Sequence, residues 1–504
     1  MRYILSLDEG TTSARAALYD QEGRRLAMAA VPVPCRYPRS GWVEQDAEQI
    51  WSGQLDAMRR TIAEIGAQPA DIAAIGITNQ RETTIVWDRH TGVPVGPAIV
   101  WQCRRTADRC RELAVSPQGA RITAKTGLVV DAYFSGSKIE WILDQIPGAR
   151  ERAEAGDLLF GNVDTWLIWN LSGRKSHVTD PTNASRTMLY NLATGEWDED
   201  LLRLFRIPAS MLPQVTPSSG VCCVAAASIL GAEIPIAGIA GDQQAALAGQ
   251  ACFRKGLSKN TYGTGCFALL HTGGEMPVSR NKLLATRAAS LGSEPQFAVE
   301  GSIFIAGAAV QWLRDKLGII TSAPETEQMA LSVPDTGGVY LVPAFVGLGA
   351  PHWDAEARAS LTGMTMATGR NEIVRATLES MAYQTRELVE AMEADSGAPV
   401  LELRVDGGAA QNNFLMQFQA DILQCRVVRP RDNETTALGA AYLAGLAVGY
   451  WKSLAEVEAF WQAERVFEPT MRASERDALW AGWKEAVERT RSVTIHGVYS
   501  SSMT

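Results

Sequence analysis

The pattern of apolar and polar positions predicts that the chain begins with two strands joined by a tight turn. Residues 3–7 are rich in apolar side chains, residues 8–12 (DEGTT) have the composition of a turn, and residues 14–19 again have extended character. A helix is predicted from about residue 46 to Gly66, because apolar side chains recur there at helical spacing: Ile50, Leu55, Met58, Ile62 and Ile65. Strands near residues 72–78 and 83–87 follow, and this mixture predicts an α/β fold.

The same pattern begins again in the second half of the chain. Residues 260–270 place apolar flanks around a Gly-Thr-Gly turn, and a helical period runs from Ile373 to Met392 and closes at Gly397. A strand at residues 401–405 then leads into a further helix. We therefore predict two related α/β domains, residues 1–250 and residues 251–504. A chance similarity of the two turns is the alternative to a repeat.

Length, charge and cysteine content narrow the functional classes. A chain of 504 residues is too long for one ordinary core, so two or three domains are expected. The net charge of −9 repels the phosphates of nucleic acids, so we expect no nucleic-acid partner. Eight cysteines without a C-x-x-C pair favour a reduced, cytoplasmic setting, and no apolar segment is long enough to predict a membrane span. The P-loop and the dinucleotide-binding glycine motif are also missing from the sequence.

The turn after the first strand has the residues of a phosphate-binding loop. Its sequence from Asp8 to Arg15 is DEGTTSAR. Gly10 permits a close approach of the backbone to an anion, and the N–H and hydroxyl groups that follow it are donors for phosphate oxygens. Arg15 adds a fixed positive charge, and Asp8 is a candidate ligand of Mg²⁺, directly or through water. An ordinary hairpin turn is the alternative.

Two further motifs predict a polyol site. Arg81 and Glu82, in the segment NQRET, follow an apolar strand and are suited to donate to and accept from adjacent hydroxyls; a solvated surface pair is the alternative. Asp242 stands at the junction of an apolar strand and a helix, where α/β sheets bind their ligands. Its carboxylate is a candidate general base for an attacking hydroxyl, and a helix N-cap is the alternative.

Three glycine-containing segments of the second half complete the set of motifs. Residues 262–267 (YGTGCF) offer a second phosphate-facing turn, and residues 406–412 (DGGAAQN) give a flat nucleoside access to a strand-to-helix junction. Gly307 opens a helix that carries Gln311. Paired glycines are also a plain loop signal, so none of these segments decides the function alone.

Together and in this order, the motifs resemble the glycerol kinases of the FGGY carbohydrate kinase family. The resemblance covers nearly the whole chain and is strongest in these segments: DEGTTSARA, ITNQRETT, IVWQCRRT, DAYFSGSK, GDQQAALAGQ, NTYGTGCF, AGAAVQWLRD, VGLGAPHWD and DGGAAQNNFLMQF. It implies two related domains of the actin/Hsp70-like (ribonuclease H-like) ATPase fold with a cleft between them. In this interpretation residues 1–250 bind glycerol and phosphate and carry the catalytic base, and residues 251–504 bind the nucleotide.

The resemblance also implies a reaction and roles for individual residues. The reaction is the ATP-dependent phosphorylation of glycerol to sn-glycerol 3-phosphate, the first step of glycerol catabolism, with Asp242 as general base. The residues that would bind glycerol are Arg81, Glu82, Trp101, Tyr133, Asp242, Gln243 and Phe267. The residues that would bind ATP are Thr11, Thr12, Ser13, Arg15, Thr264, Gly307, Gln311, Gly408 and Asn412. Asp8 and Asp242 would hold Mg²⁺, directly or through water, and a homodimer or homotetramer is the implied assembly.

Two departures from the family pattern and two alternative functions accompany this interpretation. Glu9 stands where the family usually has Gln, which adds negative charge beside the phosphate turn, and His352 replaces a usual Tyr. The first alternative is a kinase of the same fold for another polyol or a ketose, such as erythritol, xylulose or ribulose. The second is a nucleotide-driven clamp without a small acceptor. Asp242 and the Arg81–Glu82 pair speak against the clamp, because a clamp needs no polyol site.

Overall fold

Two β-sheets, one from each half of the chain, form the centre of the structure. The structure is a computed structural model and describes residues 2–292, 294–352, 354 and 356–492. The end of the predicted second domain, residues 493–504, lies outside the described residues, as does Trp353 of the VGLGAPHWD segment. None of the helices in these ranges combines the length and the apolar character that a bilayer crossing requires.

The first half of the chain contains strands β1 to β14 and helices α1 to α10. Its strands are β1 (Tyr3–Glu9), β2 (Ser13–Tyr19), β3 (Arg25–Pro32), β4 (Glu44–Gln45), β5 (Ile72–Asn79), β6 (Ile85–Asp88), β7 (Ala98–Ile99), β8 (Leu158–Gly161), β9 (Val178–Thr179), β10 (Tyr190–Asn191), β11 (Glu196–Trp197), β12 (Gln214–Val215), β13 (Ser219–Ala225) and β14 (Ile234–Gly241). Its helices are α1 (Ala47–Glu64), α2 (Ala107–Ala114), α3 (Pro117–Thr126), α4 (Ser135–Gln145), α5 (Ala149–Glu154), α6 (Val163–Leu171), α7 (Pro181–Ala184), α8 (Glu199–Leu204), α9 (Ala227–Leu230) and α10 (Asp242–Gly249).

The second half continues with longer helices. Its strands are β15 (Leu257–Tyr262), β16 (Cys266–Gly273), β17 (Leu284–Arg287), β18 (Phe297–Ile303), β19 (Tyr340–Val342), β20 (Ser360–Thr362), β21 (Glu402–Asp406), β22 (Arg426–Pro430) and β23 (Ala463–Phe467). Its helices are α11 (Gly307–Asp315), α12 (Glu325–Leu331), α13 (Arg370–Ser396), α14 (Asn413–Leu423), α15 (Thr435–Ala447), α16 (Leu454–Phe460) and α17 (Ala473–Thr490). Short 3₁₀-helices cover Pro69–Asp71, Ala209–Met211 and Gly408–Gln411.

The two large sheets share the arrangement of five strands, β14-β5-β1-β2-β3 in the first and β22-β21-β15-β16-β18 in the second. The strand order is β13-β14-β5-β1-β2-β3 in the first sheet and β23-β22-β21-β15-β16-β18-β17 in the second. β1 is antiparallel to β2 and parallel to β5, just as β15 is antiparallel to β16 and parallel to β21. The next strand outward, β14 or β22, is again parallel, and a helix follows it, α10 or α15. The repeat that the two turns suggested is therefore a repeat of structure.

The elements predicted from the sequence lie close to their predicted positions. The opening hairpin is β1 and β2, the first predicted helix is α1, and α13 ends at its predicted glycine. The α/β fold class is confirmed. The strand predicted at residues 83–87 begins two residues later, at Ile85. The reason is local, since the Thr83 hydroxyl donates to Gln80 Oε1 and the Thr84 hydroxyl to the carbonyl of Glu82, which holds both threonines in the preceding turn.

Helices α10 and α15 cross each other closely. A Cβ atom on Gly249 would lie 1.8 Å from the carbonyl oxygen of Thr435, and a Cβ atom on Gly439 would lie 1.8 Å from the carbonyl oxygen of Ala245. Only glycine allows this approach, because any larger residue would overlap with backbone atoms of the other helix.

Each of these two helices packs against the sheet of the other half. Leu438 of α15 belongs to an apolar cluster with Ile4 of the first sheet, and Leu247 of α10 belongs to one with Leu269 of the second sheet. The predicted division at residue 250 falls between the last strand of the first sheet and β15, where the second sheet begins. The assignment of a separate binding role to each domain stays a prediction.

Three parallel strands of the first sheet end side by side. Glu9 at the end of β1 pairs with Asn79 at the end of β5, which in turn pairs with Gly241 at the end of β14. Because the carboxyl ends of parallel strands form one edge of a sheet, the phosphate turn, the Arg81–Glu82 turn and the start of α10 meet there.

Candidate active site

The turn between β1 and β2 presents the first group of predicted nucleotide residues. The amide of Gly10 donates to the carbonyl of Ser13 at 3.0 Å, which closes the turn. Arg15 Nη1 lies 2.9 Å from Glu434 Oε2 and 3.7 Å from Asp8 Oδ2, so this arginine connects the turn with the segment before α15. Asp8 itself is only 4% exposed.

Burial changes the protonation of the two acidic residues at the end of β1. It raises the pKa of Asp8 to about 6, with Arg15 opposing the rise and Glu434 and Asp242 adding to it. Glu9 is fully buried, and neither of its carboxylate oxygens has a hydrogen-bond partner. Burial, with the charge of Asp8, raises the pKa of Glu9 well above its usual range. Burial thus disfavours the negative charge that the sequence placed beside the phosphate turn.

Trp101 connects this turn with the predicted polyol residues. Its indole Nε1 donates to Thr11 Oγ1 at 2.9 Å. Its ring lies edge-on to the ring of Tyr133, with 5.5 Å between the ring centroids. Trp101 and Tyr133 therefore form one aromatic wall beside the turn. In the turn itself, Thr12 is exposed and Ser13 is half-buried, so their hydroxyls are open to a ligand.

The turn after β5 holds Glu82 in a rare backbone conformation. Its φ of 59° lies in the left-handed region, which costs a residue with a side chain of order 1 kcal/mol or more. Three side chains stabilise it by donating to the Glu82 carbonyl: Thr84 at 3.0 Å, Ser135 at 3.2 Å and Lys138 at 3.2 Å. Lys138 also donates to the carbonyl of Tyr133, and burial lowers the pKa of this lysine to about 8.

Arg81 donates four hydrogen bonds through its two terminal nitrogens. Nη1 donates to Glu300 Oε2 at 2.5 Å and to Gln244 Oε1 at 3.2 Å, and Nη2 donates to Glu300 Oε1 at 3.0 Å. The remaining Nη2 bond, to the Tyr133 hydroxyl, is long at 3.5 Å. Nε lies 3.0 Å from Asp242 Oδ1. Arg81 thus connects two of the predicted glycerol residues with Glu300 of the second sheet.

A second buried arginine completes the ionic network. Arg186 is fully buried, its Nε donates to Glu82 Oε1 at 2.6 Å, and its Nη2 donates to Glu300 Oε1 at 3.0 Å. Its guanidinium also lies over the rings of Tyr133 and Phe134. Burial alone would raise the pKa of Glu300, but Arg186 and Arg81 outweigh it and hold the pKa at about 2. Glu300 is therefore ionised throughout the neutral range.

Asp242 is the most open carboxylate of this cluster. Its side chain is 32% exposed, against 2% for Glu82 and 0% for Glu300. It is the first residue of α10, and the N-cap position belongs to Gly241. Oδ1 accepts from the amide of Gln243 at 2.7 Å and forms an ion pair with Arg81, whose Nε lies 3.0 Å away. The carboxylate is therefore held in place by one hydrogen bond and one ion pair, while one side of it faces open space.

Lys259 reaches the site from the second sheet. Its ammonium group donates to Gln243 Oε1 and, at 2.9 Å, to Thr261 Oγ1. Burial lowers the pKa of this lysine, while Asp406, Asp242 and Glu300 oppose the effect.

Phe267 lies on the face of the second sheet that carries Lys259. It is paired with Thr261 on β15 and with Ser302 on β18, and Lys259 is joined through Leu269 to Glu300 in the next row. Side chains that are directly opposite in a sheet project from the same face. Phe267 therefore faces the same way as Lys259 and Glu300, which both contact residues of the first half.

The second Gly/Thr turn packs on the start of α11. Thr264 is exposed, and its carbonyl accepts from the amides of Ala306 and Ala308. Gly307 donates to the carbonyl of Gly263 at 3.0 Å, and a Cβ atom on Gly307 would lie 2.6 Å from that oxygen. This contact explains why residue 307 is glycine.

The remaining predicted nucleotide residues lie on α11 and at the end of β21. Gln311 is exposed on α11. Gly408 has open space where a Cβ atom would stand, whereas Gly407, with φ of 88°, would bring a Cβ atom within 2.4 Å of the Tyr262 carbonyl. Asn412 caps α14, since its Oδ1 accepts from the amide of Leu415. Its Nδ2 donates to Thr326, so both ends of this amide already have partners.

The structure brings most of the predicted glycerol residues into one contact network. The members are Arg81, Glu82, Trp101, Tyr133, Asp242 and Gln243, and the predicted phosphate residue Thr11 joins them through Trp101. Phe267 is placed on the facing sheet without a polar contact of its own. The sequence interpretation missed Glu300, Arg186, Lys259 and Gln244. Of these four, Glu300 alone could have been noticed, because it is a lone charge within the apolar strand FAVEGSI.

The chain matches both domains of one protein family. The N-terminal domain of the FGGY family of carbohydrate kinases matches residues 3–249, and the C-terminal domain of the same family matches residues 258–448.

Curated relatives and solved structures are similar over nearly their whole lengths. Glycerol kinase 2 of Thermotoga maritima is 60% identical over 490 residues, which is 97% of this chain and 99% of the relative. The glycerol kinase of Symbiobacterium thermophilum is 58% identical over 97% of this chain and 98% of the relative. The crystal structure of Plasmodium falciparum glycerol kinase with ADP superposes with a TM-score of 0.93 at 37% identity, covering 97% of this chain and 98% of that one. A xylulose kinase from Lactobacillus acidophilus, 21% identical over 97% of this chain and 98% of that one, shares the fold with a TM-score of 0.88. With both domains matched and glycerol kinases related to it over nearly its whole length, the chain belongs to the FGGY family of carbohydrate kinases.

Proposed function

We infer that this chain is an ATP-dependent kinase that phosphorylates glycerol. The observation that carries the inference is the Asp242 carboxylate, partly open at the end of β14 and fixed by Arg81 among the residues expected to bind a polyol. A kinase for another polyol or a ketose would be favoured by an Arg81–Glu82 pair outside the site, whereas both residues lie within the network. A clamp without a small acceptor has no use for this network.

The polyol site combines polar groups with an aromatic wall. Glycerol has three hydroxyls, and Arg81, Glu82 and Asp242 supply charged donors and acceptors for them. Trp101 and Tyr133 supply the apolar side on which the carbon chain would pack. Gln243, held by Lys259, and Phe267 on the second sheet would close the site from the other half.

The proposed chemical step is a direct transfer of the terminal phosphoryl group of ATP. Such a transfer depends on an oriented nucleophile and on charge stabilisation more than on covalent help from the protein. Asp242 would accept the proton of the attacking hydroxyl as that oxygen bonds to phosphorus. The donors of the two Gly/Thr turns, at residues 11–13 and 264, would hold the phosphates, with Arg15 adding charge.

The residues present fit a bound Mg²⁺ ion. The charge of Asp242 adds to the raised pKa of Asp8, and Asp8 is buried, so a cation between the two carboxylates would relieve their repulsion and the cost of burying a charge at Asp8. In the part of the chain that the structure describes, no group of three or more His, Cys, Asp or Glu side chains is placed to hold a metal. Mg²⁺ needs no such group, because it is commonly held by one or two carboxylates, water and substrate phosphates. When bound, the ion would neutralise charge on the phosphates.

The cellular location and the oligomeric state of the protein are also proposed, on fewer observations. A kinase that consumes ATP and has all eight cysteines free fits the cytoplasm. A homodimer or homotetramer is proposed from the family resemblance alone.

The test of the proposed function is an ADP-release assay with a panel of acceptors. Glycerol, erythritol, xylulose, ribulose and a reaction without acceptor are compared at one ATP concentration. We expect ADP release with glycerol to exceed every other rate. Equal rates with and without glycerol would overturn the kinase assignment, and a faster rate with a ketose would move the substrate to the first alternative.

The raised pKa of Asp8 predicts a pH dependence of nucleotide binding. An ionised Asp8 is needed to hold Mg²⁺, and its pKa of about 6 means that the carboxylate takes up a proton as the pH falls through 6. We expect Mg–ADP affinity to fall about tenfold more between pH 7.5 and pH 5 in the wild type than in Asp8→Asn, which has no such proton to gain. Calorimetric titration measures both proteins, and the titration of the nucleotide itself is common to them. Parallel pH profiles would contradict a role of Asp8 at the metal.

A further inference from the structure

Glu300 comes from the second sheet, yet its carboxylate is the main partner of a glycerol-site arginine from the first half. It is fully buried on β18, and 219 positions separate it from Arg81 in sequence. Both of its oxygens accept from Arg81, at 2.5 and 3.0 Å, and one of them also accepts from Arg186 at 3.0 Å. Nothing in the sequence interpretation assigned a role to this residue.

We propose that Glu300 is a positioning residue, which orients Arg81 so that the N–H groups not bonded to Glu300 or Gln244 face the glycerol hydroxyls. A guanidinium group that shares two parallel hydrogen bonds with one carboxylate is fixed in its plane as well as in its position. In Arg81 these bonds use one N–H of each terminal nitrogen, and Gln244 takes the other N–H of Nη1. The inference rests on the proposed function, because it concerns the glycerol site.

The two N–H groups that are left identify the direction of the pocket. One is the Nη2 proton directed at Tyr133, at the long distance of 3.5 Å, and the other is the Nε proton, whose nitrogen lies 3.0 Å from Asp242 Oδ1 in an ion pair. Both acceptors are residues expected to contact glycerol. A hydroxyl that entered between Arg81 and Tyr133 would gain a charged donor and would replace only a weak bond.

Charge balance favours the same role. Arg81 is attracted by Glu82 and Asp242 as well as by Glu300. Without Glu300, those two carboxylates would be the only ionic partners of the guanidinium, and both are groups that glycerol itself needs as acceptors. Glu300 remains ionised at neutral pH because its pKa is held at about 2, so it competes with Asp242 for the charge of Arg81.

The test compares Glu300→Gln with a matched control. Glutamine keeps the shape of the side chain but accepts only one of the two parallel bonds. We expect the KM for glycerol to rise at least tenfold, the KM for ATP to change less than threefold, and the preference for glycerol over propane-1,2-diol in kcat/KM to fall. A purely structural residue would not shift that preference. The control is Glu379→Gln, which removes another buried carboxylate, paired with Arg375 at 2.8 Å, and is expected to leave both KM values unchanged.

Two further variants keep the proposal testable if Glu300→Gln folds poorly. Glu300→Asp retains the charge on a shorter side chain, and we expect an intermediate KM for glycerol. In an Arg81→Gln background, Glu300→Gln should raise the KM for glycerol little further, because the residue on which it acts is gone. An equal rise in both backgrounds, or an unchanged KM and preference in Glu300→Gln and Glu300→Asp, would overturn the inference. A wild type that does not phosphorylate glycerol overturns the proposed function instead.

Discussion

Replacement of Asp242 by Asn is expected to lower kcat by about 10²–10⁴-fold, the range that loss of a general base typically produces. Asparagine keeps the acceptor oxygen for the Gln243 amide and the size of the side chain beside Arg81, so the local shape and the glycerol contacts are retained. We therefore expect the KM for glycerol to change only a few-fold. Single-turnover measurements with saturating ATP and glycerol follow the chemical step directly.

The control for Asp242 is Asp198→Asn. Asp198 caps helix α8 through the amides of Asp200 and Leu201, outside the candidate site. Asparagine caps a helix about as well as aspartate does, so kcat should remain that of the wild type. A kcat close to wild type in Asp242→Asn would remove the general-base role and leave the residue a binding or structural one.

Replacement of Arg186 by Met is expected to lower the free energy of unfolding by about 3–5 kcal/mol, because it leaves buried carboxylates without their partner. Arg186 is fully buried and donates to Glu82 at 2.6 Å and to Glu300 at 3.0 Å. Methionine fills a similar length without charge. The change is measured by urea unfolding at pH 7, and the KM for glycerol should rise as well, because Glu82 and Glu300 both lose a contact that orients them.

The pH dependence of this effect follows from Glu300. Its pKa is lowered from 4.5 to about 2 in the folded protein, so its pairing stabilises the fold fully above pH 4.5 and is lost as the pH falls towards 2. The difference between wild type and Arg186→Met should therefore be full at pH 7 and should narrow below pH 4.5.

The control for Arg186 is Arg203→Met. Arg203 forms an exposed pair with Asp200, three residues earlier on α8, and such pairs contribute less than about 1 kcal/mol. Equal losses in the two variants would show that the buried network contributes no more than a surface pair does.

The sequence predicted what depends on neighbours along the chain. The turn at Gly10 and the helical period that ends at Gly397 were found where they were expected, because turn chemistry and periodicity are local properties. The repeat was detectable because both halves open on the same arrangement of strand and turn. Asp242 was expected at a strand-to-helix junction, and α10 begins there.

The partners of buried charges were beyond prediction. Glu300 interrupts an apolar strand, which indicates that it has a partner, whereas Lys259 lies in a strand of mostly polar residues; the partner of each depends on how the two halves are placed. The same holds for Glu9, whose protonation depends on a burial that no local pattern reveals. The importance of Gly407, beside the predicted Gly408, depends on a close contact with Tyr262 that is distant in sequence.

Helices α10 and α15 each pack on the sheet of the other half, and this limits where the protein can be cut into fragments. A fragment that stops at residue 250 would keep α10 but lack α15, and Ile4 and its apolar neighbours on the first sheet would face water. A fragment that starts at residue 251 would leave Leu269 uncovered in the same way. Chimaeras between related kinases should therefore transplant the two helices together, with Gly249 and Gly439 as a matched pair, rather than be joined at the boundary between the sheets.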